Sequence, residues 1–372
     1  MKRIVSVILI LIVISGCTRA DPYLSELTQT EPSSHTDVPD LPSQTKCGSL
    51  KSLSAEKPGI EIYFTNPTDQ QKNSYFGGVD ECIVNSIEDA SFSIDIAMYN
   101  INLWSIRNAL IEAYQRGIQI RIVVESENLD NDVPRELRSA GIPVIGDRRE
   151  GLMHNKFMII DGNEVWTGSA NFTLGSFYYD KNNLVHFNSV EIAQDYTTEF
   201  DEMFDRNMFG SDMVPDTPFP MVILGDDLVE IYFSPDDHVA SRMISLIDQA
   251  KESIYFMAYS FTSNALGSAI VERIKSGVYV EGIMDQSQVL SNTGTEYDPF
   301  LQAAIKIYPY ATDGLMHNKV IIIDRKIVIT GSYNFSRNAE ETNDENVVVI
   351  HDNTIAEEYL AEFAKIISSL EK

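Results

Sequence analysis

Apolar residues follow two rhythms along this chain, and the same series of rhythms occurs twice. Ile94, Ile96 and Met98 alternate as in a strand, whereas Val79, Cys82, Ile83 and Ile87 have helical spacing. After a strand at 61–64, the first series predicts that helix and strand, a helix N-capped by Asn102 and closed by Gly117, a strand at 118–125 and a helix at 133–140. The second predicts strands at 230–233, 253–259, 278–285 and 305–308, with helices at 263–276 and 297–304. Helices at 189–205 and 354–370 close the halves. Strand and helix alternate throughout, which predicts α/β domains.

Polar residues repeat in register with this pattern. Residues 151–171 read GLMHNKFMIIDGNEVWTGSAN and residues 314–334 read GLMHNKVIIIDRKIVITGSYN. His154, Lys156, Asp161, Ser169 and Asn171 thus recur 163 positions later as His317, Lys319, Asp324, Ser332 and Asn334. Side chains two apart share a strand face, so each His and Lys point the same way. The aspartates have the opposite parity and are expected in the turn after the strand, bracing it. Ser169 and Asn171, like Ser332 and Asn334, can present hydroxyl and amide to one point.

The flanking segments differ in composition. Lys2 and Arg3 precede a short apolar run at 4–14 with the layout of a secretory signal, too short to span a bilayer. Residues 18–58 are rich in Pro, Ser, Thr, Asp and Glu, a composition expected of a flexible tether. Pro215, Pro218 and Pro220 mark residues 207–225 as a linker, with the boundary near 215, between domains at 59–206 and 226–372. The 28 basic and 55 acidic residues give a net charge of −27, a mean field that repels nucleic acid and anionic lipid but leaves room for a local basic pocket. Of the three cysteines, Cys47 and Cys82 are a candidate disulfide, with two free thiols as the alternative.

Two imidazoles, two ammonium groups and several neutral donors suit phosphodiester cleavage, where preorganised donors stabilise charge on the phosphoryl oxygens. One imidazole can attack phosphorus while the other protonates the leaving oxygen and later deprotonates water. The histidines have no further Cys or carboxylate at metal-ligand spacing, and two ammonium groups would repel a cation, so neither metal nor other cofactor is expected.

The pattern H-x-K-x4-D followed by G-S-x-N, present in both halves, resembles the phospholipase D superfamily. The resemblance implies two tandem α/β domains related by a pseudo-two-fold axis, each a mixed sheet flanked by helices, with the motifs meeting at the interface. It implies metal-free hydrolysis in two steps, with His154 as nucleophile and His317 as general acid. Lys156, Lys319, Asn171 and Asn334 would hold phosphate, helped by Ser169 and Ser332, while Asp161 and Asp324, members of the catalytic motif, would be mainly structural. The family often has a carboxylate about eleven residues after the motif asparagine, orienting the histidine of its own half. Glu345 fills that place in the second half; Asn182 stands there in the first. Tyrosyl-DNA phosphodiesterases also use an amide there.

Residues 14–17, ending in Cys17, resemble the lipobox of bacterial lipoproteins, which implies export and a lipid anchor on a bacterial cell membrane, at its periplasmic or extracellular face. The expected activity is hydrolysis of phospholipid to phosphatidate and head group, which the anchor favours. A nuclease acting on DNA or RNA, and a phosphatidyltransferase of cardiolipin synthase type, stand as alternatives. A two-copy chain suffices as a monomer for a complete site. Phe177, Tyr178 and Tyr179 are candidates either for stacking on a base or lipid or for packing on their own domain. The polar stretch at 286–295 is a candidate lid or a plain surface loop.

Overall fold

The computed structural model describes residues 59–147, 149 and 151–371; the signal, Cys17, Cys47 and the tether lie outside them. The first half contributes β1 (Ile60–Phe64), β2 (Ser93–Met98), β3 (Gln119–Val124), β4 (Val144–Gly146), β5 (Lys156–Ile160), β6 (Glu164–Gly168) and β7 (Asn183–Asn188). The second contributes β8 (Met221–Leu224), β9 (Asp227–Ser234), β10 (Ser253–Ala258), β11 (Tyr279–Asp285), β12 (Lys306–Tyr310), β13 (Lys319–Ile323), β14 (Ile327–Gly331) and β15 (Glu345–His351). Each half folds into a mixed sheet flanked by helices. The orders are β1-β7-β6-β5-β2-β3-β4 and β12-β11-β10-β13-β14-β15-β9-β8. Read from opposite ends, these are one topology, with β8 added at an edge.

In both sheets the parallel strands come from the strand-helix-strand series. β2 pairs parallel with β3 and antiparallel with β5, and β10 pairs likewise with β11 and β13. The two motif strands are therefore central, apolar on both faces and buried along their whole length. One core joins the halves, with Phe157, Val185 and Phe200 in the same cluster as Ile231, Val320 and Val348. The closing helices cross over: Tyr196 of Val190–Phe204 packs edge-on against Phe233, 5.1 Å between centroids, and Tyr359 of Asn353–Leu370 against Phe64, 5.0 Å.

Several local expectations are corrected, and two open alternatives, for Phe177 and Tyr178 and for Cys82, are resolved toward packing and toward a disulfide. Asn102 does not cap the helix Trp104–Gln115; the cap position is Leu103, and Asn102 Oδ1 accepts the Leu174 N–H at 2.9 Å. The linker range contains β8, which pairs with β9. Residues 286–295 are not a plain loop, since Gln286–Ser291 is a helix whose N-cap, Asp285, accepts the Gln288 N–H at 3.2 Å. Phe177 and Tyr178 lie in the helix Leu174–Tyr178 and are buried in their own half's core. Cys82 is buried and disulfide-bonded, with its partner outside the described residues.

Asp161 and Asp324 occupy the turn after the motif strand, at φ +51° and +52°. Asp161 accepts the N–H groups of Ser91, Phe92 and Ser93 at 2.7–2.9 Å, and Asp324 those of Lys251, Glu252 and Ser253 at 2.7–3.1 Å. Each aspartate thus ties the strand's far end to the start of β2 or β10. Burial raises the Asp324 carboxyl, but the three backbone donors outweigh it and hold the group below its ordinary value. Its contribution to stability is therefore present above the unfolded-state value and lost as pH falls through the lower folded-state one. Asp161→Asn and Asp324→Asn should each cost about 1–3 kcal/mol in urea unfolding. Their kcat should stay within a few-fold of wild type; a large loss of kcat in a stably folded variant would contradict a bracing role.

Candidate active site

The two motif loops enter the site from opposite halves, and each is stitched to the segment before β15 or β7 of the other half. His154 N donates to Asp344 O at 3.0 Å, and His317 N to Lys181 O at 2.9 Å. A carboxylate at the end of β3 or β11, one strand beyond the motif strand's neighbour, fixes each loop: Glu125 accepts the Met153 N–H at 2.8 Å, and Asp285 that of Met316 at 2.9 Å. The lysines open β5 and β13, and each ammonium donates back to the carbonyl of its own motif histidine at 2.8 Å. His154 and His317 retain only 7% and 8% exposure and the lysines 1% each, so the polar set is largely enclosed by protein.

The imidazole partners cross the interface, which corrects the expectation that each histidine is oriented within its own half. His154 Nδ1 lies 2.7 Å from Glu345 Oε2, and His317 Nδ1 lies 2.8 Å from Asn182 Oδ1. Glu345 also accepts Ser332 Oγ at 2.6 Å and Asn343 Nδ2 at 3.1 Å. Asn182 Oδ1 accepts Ser169 Oγ at 2.8 Å, while its Nδ2 donates to Ser176 O at 3.1 Å. That last bond fixes which end of the amide faces the imidazole. With an acceptor at each Nδ1, both neutral rings carry the proton there and present Nε2 to the site.

Ser169 and Ser332 are fully buried, and besides donating to the orienting side chains their oxygens accept the N–H of Asn183 and Asn346 at 3.1 and 3.0 Å. They brace the orienting residues, where phosphate contact was expected. Asn171 and Asn334 differ, because their buried side-chain oxygens have no protein partner. An amide oxygen accepts and cannot meet a phosphate oxygen, so any phosphate contact by these residues falls to their Nδ2 groups. The motif glycines have a steric role: at Gly168 (φ +135°) and Gly331 (φ +149°) a Cβ would collide with the carbonyl oxygens of Asn183 and Asn346.

Electrostatically, the site is a buried cluster of four basic groups whose charged forms burial disfavours. Burial pushes the Lys156 ammonium down to about 7, against the pull of Glu345. Burial and then the Lys156 charge hold Lys319 well below its ordinary value. Both imidazoles are held far down by burial and then by the two lysines, with His154 acting further on His317. The Glu345 carboxyl is pushed up to about 7 by burial, with Lys156 opposing. An anionic phosphodiester would reverse these penalties, since each cation gains a partner when it binds.

Further site residues were not singled out in the sequence. Tyr99 and Tyr259 follow β2 and β10; their ring centroids lie 5.1 and 4.8 Å from those of His154 and His317, and 5.3 and 4.9 Å from the Lys156 and Lys319 ammoniums. Their equivalent places in the two series were the available signal. Gln288 donates to the Tyr259 hydroxyl at 3.0 Å, so the helix Gln286–Ser291 abuts the site wall. Beneath the histidines, Asn346 Nδ2 donates to Asn155 Oδ1 at 3.0 Å and Asn183 Nδ2 to Asn318 Oδ1 at 2.8 Å, both across the interface. Among the described residues, no three His, Cys, Asp or Glu side chains come together as a metal-ligand set.

A family model described as cardiolipin synthase, PLD-like domain, matches residues 83–204 and 243–367, about two-thirds of the chain. The chain therefore belongs to this family of the phospholipase D superfamily. It is 37% identical over 132 residues to a phospholipase D of Rickettsia prowazekii, a match covering 36% of this chain and 64% of that one. It is 29% identical over 119 residues to a mitochondrial cardiolipin hydrolase of Xenopus laevis, covering 32% and 57%. The chain thus spans less than two-thirds of the length of both relatives. The structure of a phosphatidylserine synthase from Haemophilus influenzae is similar in fold, with a TM-score of 0.62 over 86% of this chain and 88% of that one, at 13% identity.

Proposed function

We propose that this protein is a metal-independent phosphodiesterase of phospholipase D type, which hydrolyses phospholipid to phosphatidate and free head group. The observation that carries this reading is the pair of buried imidazoles, each held at Nδ1 by the opposite half, beside two ammonium groups. His154 Nε2 attacks phosphorus, and Glu345 stabilises the positive charge that develops on the ring. His317 enters the cycle as the imidazolium, with a second proton on Nε2, and gives that proton to the departing oxygen as the P–O bond breaks. Neutral His317 then takes a proton from water, the hydroxide displaces His154 from phosphorus, and both imidazoles return to their starting states. Lys156, Lys319, Asn171 and Asn334 hold the non-bridging oxygens.

The near-complete burial of both histidines suits a head group or a single strand better than a duplex. The relatives named phospholipase D and cardiolipin hydrolase, together with the anchor expected at Cys17, favour lipid. Purified protein should cleave bis(p-nitrophenyl) phosphate in EDTA; loss of activity on chelation would overturn the metal-free mechanism. Choline release from phosphatidylcholine vesicles should exceed cleavage of single-stranded DNA. The reverse ranking would assign a nuclease, and transfer to added glycerol in preference to water a phosphatidyltransferase.

A further inference from the structure

Positions 182 and 345 are equivalent in the two halves, yet one carries an amide and the other a carboxylate. Both are buried, at 1% and 0% exposure, and both meet an Nδ1 of the opposite half and a serine hydroxyl of their own. The frames match, so the chemical difference falls on the two imidazoles. We infer that Asn182 is a positioning residue that makes leaving-group protonation by His317 limiting as pH rises, confining efficient cleavage of alkyl diesters to the acid side. This rests on the proposed two-step reaction.

The argument is one of charge. His154 becomes a cationic N-phosphoryl imidazole, and Glu345 lies against the nitrogen through which that charge is shared. His317 becomes cationic when it is loaded with the proton for the leaving group, and its Nδ1 meets a neutral oxygen that orients the ring but supplies no countercharge. Around the ring stand Lys319 on its own strand, Lys156 and His154 from the opposite motif, and the Tyr259 ring. Two carboxylates from other elements reach the backbone of the His317 loop, Asp285 at the end of β11 accepting the Met316 N–H and Asp180 of the first half the Leu315 N–H at 2.9 Å each. Burial and the three basic neighbours all disfavour the imidazolium, and the amide does not offset them.

Such a histidine is a strong acid that is seldom loaded at higher pH. An alkoxide leaves phosphorus poorly without a proton, whereas nitrophenolate leaves as the anion. The two leaving-group classes should therefore diverge with pH. Once the proton has been given up, the same weak hold on it leaves His317 neutral, as the second step requires.

The test compares kcat/KM for choline release from dihexanoylphosphatidylcholine with that for bis(p-nitrophenyl) phosphate across the pH range in which histidines titrate. In the wild type, choline release should fall as pH rises while the nitrophenyl diester stays level over the same span. Asn182→Asp, an isosteric change, should move the falling limb up by about one pH unit or more. The His317 ring, followed by NMR and assigned by its loss in His317→Ala, should shift its titration midpoint the same way. An equal fall for both diesters in the wild type, or an unmoved limb and midpoint in Asn182→Asp, overturns the inference. If neither diester is cleaved, the proposed function fails, and the NMR midpoint alone decides: a rise in Asn182→Asp supports the role of Asn182, and no rise overturns it.

Discussion

His154→Ala should lower kcat/KM on any phosphodiester by roughly 10⁴-fold or more, the scale seen when a catalytic nucleophile is deleted. No other described side chain takes its place, because the second imidazole is held by Asn182 and faces the leaving group in the proposed reaction. The loss should be as large for nitrophenyl as for alkyl diesters, since nucleophilic attack precedes either departure. His317→Ala should differ, losing roughly 10²–10⁴-fold on alkyl diesters and much less where the leaving group needs no proton. Equal losses in the two variants on bis(p-nitrophenyl) phosphate would contradict the division of roles. Unfolding curves separate this from collapse, as both histidines are buried.

Glu345→Gln should cost roughly 10⁴-fold in kcat, by comparison with amide replacement of the orienting carboxylate in hydrolase triads. The glutamine keeps the volume but removes the countercharge for the phosphorylated ring, and its amide can present a donor to Nδ1. The crossed geometry makes a sharper claim, that this second-half residue serves the first-half nucleophile. Glu345→Gln should therefore slow formation of the phosphoenzyme even with a nitrophenolate leaving group. Had Glu345 oriented His317, the nitrophenyl diester would be nearly indifferent to the change. Pre-steady-state nitrophenolate release distinguishes the two outcomes.

Strand parity placed His154 with Lys156 and sent Asp161 to the far turn, because a two-residue period is a local property of the backbone. The longer helices other than Val239–Asp248, and most strands, were legible for the same reason, and the five polar positions repeated in register marked the site. What parity does not carry is the path of a loop. The segments ending at Asn182 and Glu345 cross to the opposite motif, so the partner of each histidine depends on packing between halves. Ser169 and Ser332 were misread because two-residue spacing with Asn171 and Asn334 gives a shared face in a strand, whereas the chain here leaves the strand at Gly168 and Gly331. Tyr99 and Tyr259 sit at strand ends among apolar residues, where nothing in one copy marks them as lining a site. The edge strand β8 was hidden because the prolines before it read as linker.

The central claim is that a phosphohistidine forms on the imidazole held across the interface by Glu345. Rapid acid-free quenching of the protein with a phosphorus-labelled diester, followed by peptide mapping, tests it most directly. Label on the peptide containing His154, with none after His154→Ala and retention in His317→Ala given a nitrophenyl substrate, is the predicted result. Label on His317, or turnover of a nitrophenyl diester by His154→Ala at the wild-type rate, would contradict it.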